Sequence, residues 1–564
     1  MRRVPLGLWG LAVLSGVLQV LPFPIAGPVP LWRTHVCWVA LVPLLWALLG
    51  KSADGRPIGR VQGAVLGYAS GFFWYLGSCY WVYQTMHVYG ALPEPVAAMI
   101  LVLFCLYLGL YHAMFGALVA TVRGSRFGRQ GALLLVPVLW VATELARARI
   151  TGFPWDLLGM TQVDNPMLRQ LAPWTGVCGI SFAIAAVNAL WLLRISVRER
   201  RWTRPVLAVG GVAVMAAYAV AVLYPRSRPE APGEWATATL LQENLDVGAV
   251  ETEPRENERQ LLEQFAALSR RPVGSVLSGM PEMAGTRTVR RQRTMVLQLP
   301  EGTTSLDEAF EPTDLVVWPE SPAPFREAEP EFRTAMGLLA RQMGVPVIVG
   351  NIGLDKVPDQ TKRRGYDAFN SASFLRPDGS FAGRYDKMHL VPFGEYVPYK
   401  ALFFFASSLL QQVGTFEPGA KRGVFAGSGH SYGTFICYES IFGDEIREFS
   451  KMGAEVLVNI SNDGWYGDTS APWQHLNMVR MRAIENHRWV LRATNTGITS
   501  VIDPDGRVVA AAPRHVRTAI RVAFGYEHDV TFYARHGDLL PWACALLTVG
   551  AVAFAEWSRR TAIV

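Results

Sequence analysis

Long apolar runs separated by short basic loops fill the first 225 residues of the chain. A helix needs roughly 17–25 apolar residues to cross the hydrocarbon core of a bilayer. Segments of about this length lie at 7–27, 35–50, 62–83, 95–122, 131–148, 170–193, 205–224 and 538–557. Between 233 and 525 no segment qualifies. The pattern predicts a membrane domain at 1–228 with seven transmembrane helices, an extramembrane domain at 233–525 and a closing transmembrane helix at 538–557.

Shorter periodic patterns fill the extramembrane domain. Strand patterns occur in "ATATLLQENL" (236–245), "TDLVVWPES" (313–321), "VPVIVGN" (345–351), "YDAFNSASFLRPDG" (366–379), "EVLVNISNDGW" (455–465) and "GITSVIDPDGRVV" (497–509). Helical patterns lie at 256–270, 330–343 and 475–489. Alternating strands and helices with two Pro-Asp-Gly turn signals predict a mixed α/β sandwich.

Composition agrees with a chain of two parts. The 564 residues are 51% hydrophobic and 18% charged, with a mean hydropathy of +0.19. Such a chain is too apolar for a soluble enzyme and too charged for a bundle of transmembrane helices alone. The start "MRR" before an apolar run leaves a cleavable signal peptide as an alternative for the first segment.

Arginine and lysine are concentrated in alternate loops of the membrane domain. They occur at Lys51, Arg56, Arg60, Arg123, Arg126, Arg129, Arg194, Arg198, Arg200, Arg201, Arg204, Arg559 and Arg560. Because cytoplasmic loops carry such an excess, we expect both termini in the cytoplasm and the extramembrane domain on the opposite side. Arg147, Arg149 and Arg169 depart from this rule. The net charge of +7 then reflects inner loops that face anionic lipid, and no nucleic-acid partner is expected.

Cys437 is the only cysteine of the extramembrane domain, because the other five lie in apolar segments. A disulfide within the domain is therefore impossible, and no Cys-x-x-Cys or Cys/His pairing indicates zinc. A lone thiol is either buried and inert or used for its reactivity.

Three chemically reactive side chains follow strand patterns: Glu320 after "LVVWP", Lys387 after "GRYD" and Cys437 after "GTFI". Strand ends are where α/β folds place their sites. A carboxylate can take the proton of a thiol, and an ammonium can stabilise an oxyanion, as can the backbone N–H of Tyr438. Each carboxylate or amine alone also fits a solvated strand end, so the pattern supports no more than a cysteine enzyme.

The order of the motifs along the chain narrows the choice of enzyme class. "VVWPES", "YDKMHLVPFGEYVP" and "FICYES" resemble the Glu–Lys–Cys triad of the nitrilase superfamily. "HLVPFGEYVP", "SNDGWYGDTSAPWQH", "RATNTGITSVIDPDG" and "TELARARITGFPWDLLGMTQ" resemble the apolipoprotein N-acyltransferase family over nearly the whole chain. That resemblance implies an α-helical domain of about eight transmembrane helices joined to a nitrilase-like αββα sandwich.

The resemblance also implies roles for individual residues. Glu320 would be the general base, Lys387 the transition-state stabiliser and Cys437 the nucleophile, supported by Glu395, Tyr438 and Glu439. The implied reaction moves an acyl chain from a phospholipid to the α-amino group of a diacylglyceryl-cysteine apolipoprotein, through a Cys437 thioester. No metal or cofactor is implied, and a monomer in the bacterial cytoplasmic (inner) membrane, with its catalytic domain on the periplasmic side, is expected.

Two features depart from the family pattern. "NLDVGAVETE" (244–253) lacks a tryptophan that many members carry there, and 271–312 is a long insertion containing "RTVRRQR" (287–293). The insertion is expected to be a disordered loop or a lid. "ALFFFASSLL" (401–410) is either a segment that enters the membrane interface or an ordinary buried helix.

Two other functions compete with acyl transfer. A membrane-tethered amidase would use the same triad with water in place of the amine. A transporter with an outer binding module would need buried charges near the membrane midplane. Only edge positions such as Glu144 carry charge in the apolar segments, which disfavours the transporter.

Overall fold

A computed structural model describes residues 3–196, 234–245, 255–270, 313–320, 325–357, 365–392, 394–396 and 416–561. The predicted span at 205–224, the insertion at 271–312 and the segment "ALFFFASSLL" lie outside these residues. The described residues form an apolar helical part and a domain of two β-sheets.

The described helices of the apolar part pack together in a bundle, in which α4 runs antiparallel to α6. They are α1 Leu6–Val20, α2 Leu31–Thr34, α3 Val42–Leu48, α4 Arg60–Ser78, α5 Trp81–Gln84, α6 Glu94–Arg123, α7 Gly128–Ala146, α8 Ala172–Thr175 and α9 Val177–Ser196, with α15 Leu539–Arg560 closing the described chain. Among the described residues, five helical segments are long and apolar enough to cross a membrane: Leu31–Leu48, Glu94–Arg123, Gly128–Thr151, Val177–Ile195 and Leu539–Arg560. Several of the predicted apolar helices are confirmed in this sense.

Two of these helices differ in length from the predicted segments, for local reasons. α1 ends at Val20, just before the Pro22–Pro24 segment, because Pro22 and Pro24 have no backbone N–H to continue the helical hydrogen bonds. The segment predicted at 170–193 is broken at Gly176, whose φ of +64° only glycine adopts readily. A continuous helix therefore begins only at Val177.

Helix α4 packs against α6 through a face of glycines. Gly63, Gly67 and Gly71 recur at every fourth position, and a Cβ on Gly67 would lie 2.1 Å from the carbonyl oxygen of His112 in α6. Small residues at this spacing let helix backbones approach closely in a membrane. The glycines also explain why α4, which covers most of the predicted span at 62–83, is not among the five strongly apolar helices.

The extramembrane domain contains two six-stranded sheets, ordered β12-β1-β2-β3-β4-β5 and β11-β10-β9-β8-β7-β6. The strands are β1 Trp235–Gln242, β2 Leu315–Val317, β3 Val347–Lys356, β4 Tyr366–Leu375, β5 Phe381–Asp386, β6 Val424–Gly427, β7 His430–Ile436, β8 Val456–Ser461, β9 Val490–Thr494, β10 Ser500–Ile502, β11 Val508–Ala511 and β12 Thr518–Gly525. Strands β1, β2 and β3 are parallel, as are β7, β8 and β9.

The sheets pack face to face between outer helices. Successive side chains of a strand point to opposite faces, so Leu240 of β1 faces the second sheet while Leu241 packs against helices. The outer helices are α10 Arg255–Arg270 and α11 Pro330–Met343 on the first sheet, and α12 Gly443–Lys451 and α13 Ala471–Asn486 on the second; the short α14 Phe532–His536 follows β12. The described residues thus form the predicted nitrilase-like sandwich.

The sandwich and the apolar helices share one hydrophobic cluster, in which Tyr438 and Met481 pack among residues of the helical part. Polar bonds cross the same boundary. The backbone N–H of Val177, at the start of α9, donates to Glu485 Oε1 at 2.9 Å, and Trp155 Nε1 donates to Gln474 Oε1 at 2.9 Å. The two parts therefore meet through a buried contact.

The glycine face generates a test of the helical packing. Gly67→Ala is expected to destabilise the protein by about 1–3 kcal/mol, because the added methyl group would meet the α6 backbone. Gly10→Ala in α1 is the matched control, since a Cβ there meets nothing within 4 Å. Thermal unfolding in detergent should show a lower Tm for Gly67→Ala only; equal values for the two variants would contradict this packing.

Candidate active site

Cys437 stands at the junction between β7 and a single 3₁₀ turn, Cys437–Ile441. Its φ is +48°, in the left-handed region that non-glycine residues rarely occupy. Such a conformation costs on the order of 1–3 kcal/mol and persists only where the surrounding structure enforces it. Strained residues of this kind are concentrated at functional sites, which makes Cys437 a candidate for one.

Lys387 and Glu320 leave the same edge of the first sheet. β5 runs in the direction of β3, because both are antiparallel to β4, and β3 is parallel to β2. Lys387 therefore follows β5 on the side where Glu320 follows β2. The Lys387 ammonium, 1% exposed, donates to Glu320 Oε1 at 3.1 Å and to Glu395 Oε1 at 2.9 Å.

Both carboxylates are fixed by further donors. Asn370 Nδ2, from β4, donates to Glu320 Oε1 at 2.7 Å and to Glu395 Oε1 at 2.6 Å. The backbone N–H of Asn462 donates to Glu320 Oε2 at 2.8 Å, and that of Val391 donates to Glu395 Oε2 at 2.7 Å. Each carboxylate thus accepts on both oxygens and has a single orientation.

The electrostatics of the site favour a neutral thiol beside a charged amine. Burial and the charge of Glu320 raise the pKa of the Cys437 thiol well above its ordinary range, although Lys387 lowers it. Burial alone would lower the pKa of Lys387, but Glu320 and Glu395 raise it well above its usual value. Cys437 therefore needs a base when it reacts, whereas Lys387 keeps its positive charge.

Glu439 connects the Cys437 strand to the Lys387 segment. Its Oε1 accepts from Tyr385 Oη at 2.8 Å and from the Met388 N–H at 2.7 Å, while its Oε2 accepts from the Ile436 N–H at 2.7 Å. Burial raises the pKa of Glu439, and these donors lower it in part. Glu439 thus sets the spacing between the two sheets at the site.

Tyr438 faces the helical part. Its hydroxyl donates to the carbonyl oxygen of Gly152 at 3.2 Å. A cavity of about 610 Å³ begins here, with Met388 and Phe442 on one side and Thr151 on the other. This cavity therefore lies next to Tyr438, at the boundary between the sandwich and the apolar helices.

A second buried network lies behind Cys437, and the sequence reasoning assigned it no role. His475 Nδ1 lies 2.8 Å from Asp463 Oδ1, and Arg492 Nη2 donates to Asp463 Oδ2 at 2.6 Å. Burial works against the charge of Asp463, but Arg492 and His475 hold its pKa well below its ordinary value. One donor atom each of Cys437, Asp463 and His475 lie within 4.8 Å of one another, as metal ligands would. Because Asp463 already pairs with Arg492 and His475, these residues fit a hydrogen-bonded network better than a metal site.

The structure brings together all six residues predicted for the site: Glu320, Lys387, Cys437, Glu395, Tyr438 and Glu439. Asn370 was missed, although an asparagine within a strand pattern is unusual and was a usable signal. His475 and Asp463 were also missed, although both lie in the quoted segment "SNDGWYGDTSAPWQH".

Comparison with known proteins agrees with this architecture. Residues 251–523 match the carbon-nitrogen hydrolase family, and residues 15–190 match the apolipoprotein N-acyltransferase N-terminal domain. The class is thus a carbon-nitrogen hydrolase, or nitrilase-like, domain joined to apolar membrane helices.

Relatives along the full length define the family. The apolipoprotein N-acyltransferase of Geobacter metallireducens is 35% identical, covering 97% of this chain and 95% of its own length. That of Methylococcus capsulatus is 33% identical, covering 98% of this chain and 96% of its own. The chain belongs to the apolipoprotein N-acyltransferase family, which confirms the resemblance seen in the sequence.

The bridging amide gives a test of the carboxylate arrangement. Asn370→Ala is expected to lower acyltransferase activity by roughly 10- to 100-fold, because hydrogen bonds to charged groups are worth about 1.5–3 kcal/mol. The matched control is Asn351→Ala in β3, a buried asparagine that bonds to Val349 and Ser373 instead. Both variants should lose stability in thermal unfolding, but only Asn370→Ala should lose activity beyond that effect. Equal activity of the two variants would contradict the bridging role.

Proposed function

We propose that this protein transfers an acyl chain from a phospholipid to the N-terminal amine of the S-diacylglyceryl cysteine of apolipoproteins, completing their maturation. Cys437 is the nucleophile, Glu320 the general base and Lys387 the stabiliser of the transition state. The observation that carries the proposal is the buried ammonium of Lys387, paired with Glu320 and Glu395, in electrostatic contact with Cys437. Family membership supplies the substrates.

The first half-reaction acylates the cysteine. Glu320 accepts the thiol proton while the sulfur attacks the ester carbonyl carbon of the phospholipid. The oxyanion that forms is stabilised by Lys387 and the backbone N–H of Tyr438. When the intermediate collapses, the ester C–O bond breaks, and the departing alkoxide of the lysophospholipid takes the proton from Glu320.

The second half-reaction deacylates the cysteine. The lipoprotein amine attacks the thioester, Glu320 accepts a proton from its nitrogen, and the C–S bond breaks to form the amide. The Cys437 thiolate then takes that proton from Glu320, which restores the thiol. Since the lysophospholipid leaves before the amine enters, the order is ping-pong.

Glu395, Tyr438 and Glu439 support these steps. Glu395 holds Lys387 together with Glu320, and both of its oxygens are engaged. Glu439 fixes the spacing of the Lys387 segment, and Tyr438 contacts Gly152 of the helical part. No metal or cofactor takes part in the proposed steps.

Membrane attachment suits substrates that are both lipids. Burying each CH₂ group is worth about 0.8 kcal/mol, so removing a long acyl chain from a bilayer would be very unfavourable. The cavity between Tyr438 and the end of the α7 segment lies beside the chain neighbour of Cys437, at the boundary with the apolar helices, where it can hold an acyl chain close to the nucleophile.

We further propose the topology expected from the arginine pattern. It has seven transmembrane helices in 1–228, a periplasmic catalytic domain in 233–525 and an eighth helix in 538–557, in the bacterial inner membrane with both termini cytoplasmic. The protein acts as a monomer. A small-amide hydrolase with the same triad is the alternative, but the packing of Tyr438 and Met481 among the membrane helices favours lipid substrates.

The covalent intermediate provides the main test. Incubation with phospholipid alone should add one acyl chain to Cys437, detected by intact-protein mass spectrometry, because no amine is present to discharge the thioester. Hydroxylamine or a diacylglyceryl lipopeptide should then remove the added mass. Cys437→Ala should form no adduct and no N-acylated peptide. N-acylation by that variant would exclude the thioester route, and discharge by water as fast as by peptide would favour the amidase.

One substitution tests the role of Glu320 as general base separately from the effect of its charge on the pKa of the Cys437 thiol. Glu320→Gln is expected to reduce Cys437 acylation by at least about 100-fold, within the usual contribution of general-base catalysis. The same change should lower the pKa of the thiol, because the Glu320 charge raises it and Lys387 lowers it. Iodoacetamide should therefore alkylate Cys437 faster in the variant at pH 8. Acylation at the wild-type rate would contradict the role as base.

A further inference from the structure

His475 holds the backbone carbonyl of the nucleophile. Its Nε2 lies 3.0 Å from the carbonyl oxygen of Cys437, and its Nδ1 lies 2.8 Å from Asp463 Oδ1. The carbonyl oxygen is an acceptor, so Nε2 carries a proton and donates to it, while Nδ1 lies between Asp463 Oδ1 and Arg492 Nη2, which is 3.2 Å away. The side chains of His475 and Asp463 are 0% exposed.

The carbonyl that His475 holds belongs to the same peptide unit as the Tyr438 N–H. A peptide unit is planar and, in its trans form, its C=O and N–H point in opposite directions. Fixing the Cys437 oxygen therefore fixes the direction of the Tyr438 N–H. Because φ of Cys437 is +48°, this unit is held in a conformation that it would not adopt unaided.

We propose that His475 is a positioning residue that aims the Tyr438 N–H at the oxyanion and strengthens it as a donor. The inference rests on the proposed acyl transfer through Cys437. The Nε2–H donor bonded to the carbonyl polarises the peptide unit, and polarised hydrogen bonds in series reinforce one another. The hydrogen bond from His475 thus acts on the oxyanion through one peptide unit.

The imidazole is itself held on three sides. Arg492 donates to Asp463 Oδ2 at 2.6 Å, and Ser461 donates to Asp463 Oδ1 at 2.9 Å. The Asp463 carboxylate beside His475 Nδ1 is therefore fixed. Trp155, from the helical part, lies nearly parallel to the imidazole, with ring centroids 6.0 Å apart. The membrane part therefore helps to set the geometry of the oxyanion donor.

Two amide substitutions separate the two hydrogen bonds of the ring. In His475→Gln the amide nitrogen can occupy the place of Nε2 and still donate to the Cys437 carbonyl. In His475→Asn the shorter side chain places its nitrogen near Nδ1, so that it reaches Asp463 but not the carbonyl. Both variants lose the ring, and both are expected to unfold at a lower temperature than the wild type.

The acylation kinetics should distinguish them. His475→Asn is expected to lower the maximal rate of Cys437 acylation by about 100-fold at an unchanged KM for phospholipid, as the loss of one oxyanion donor does. His475→Gln should stay within about tenfold of the wild type, because the remaining bond preserves most of the orientation. A purely structural role would instead lower both rates in proportion to the loss of stability.

Infrared spectroscopy measures directly the strength of the hydrogen bond that the Tyr438 N–H donates to the thioester oxygen. The thioester formed from phospholipid labelled with ¹³C at the ester carbonyl should absorb at a higher frequency in His475→Asn than in the wild type, because its oxygen accepts a weaker hydrogen bond. The frequency in His475→Gln should stay close to the wild type.

Equal rates and equal frequencies in the two variants would overturn the inference. If His475→Asn does not fold, His475→Gln decides alone: a loss of 100-fold or more overturns the inference, and a smaller loss with the wild-type frequency supports it. Failure of the proposed function is a separate outcome, since the wild-type protein itself would then form no thioester.

Discussion

The ammonium of Lys387, buried between Glu320 and Glu395, is the interaction on which the site depends. A buried charge is costly unless it is paired and the remaining lone pairs of its partners are satisfied. Here Asn370 and the backbone N–H groups of Asn462 and Val391 satisfy them. These donors come from both sheets, so the sandwich must close completely before the cation is accommodated.

This constraint also explains the resting state of the nucleophile. Burial disfavours a thiolate at Cys437, and the charges of Glu320 and Asp463 disfavour it further, although Lys387 opposes them. The thiol is therefore protected until a substrate carbonyl arrives and the proton can move to Glu320. A neutral thiol also resists unwanted oxidation, because the thiolate is the form that reacts.

The helical part contributes to the site as well as to membrane attachment. Gly152 accepts from Tyr438, Trp155 packs on His475, and Trp155 also donates to Gln474. The loop between α7 and α8 thus contacts the sandwich on both sides of the nucleophile. This attachment ties the geometry of the cysteine to the boundary with the apolar helices.

The sequence by itself determined the apolar helices, most of the strand patterns, the family and the three strand ends that carry Glu320, Lys387 and Cys437. These are local properties, because hydrophobic period, turn residues and short motifs are all read within a few positions. The tertiary structure alone decided that the three ends meet, and it alone supplied Asn370, His475 and Trp155. Asn370 acts on a carboxylate 50 residues away, His475 on a carbonyl 38 residues away and Trp155 on a glutamine 319 residues away. Their roles follow from long-range packing of common residue types, which leaves no periodic or local pattern in the chain.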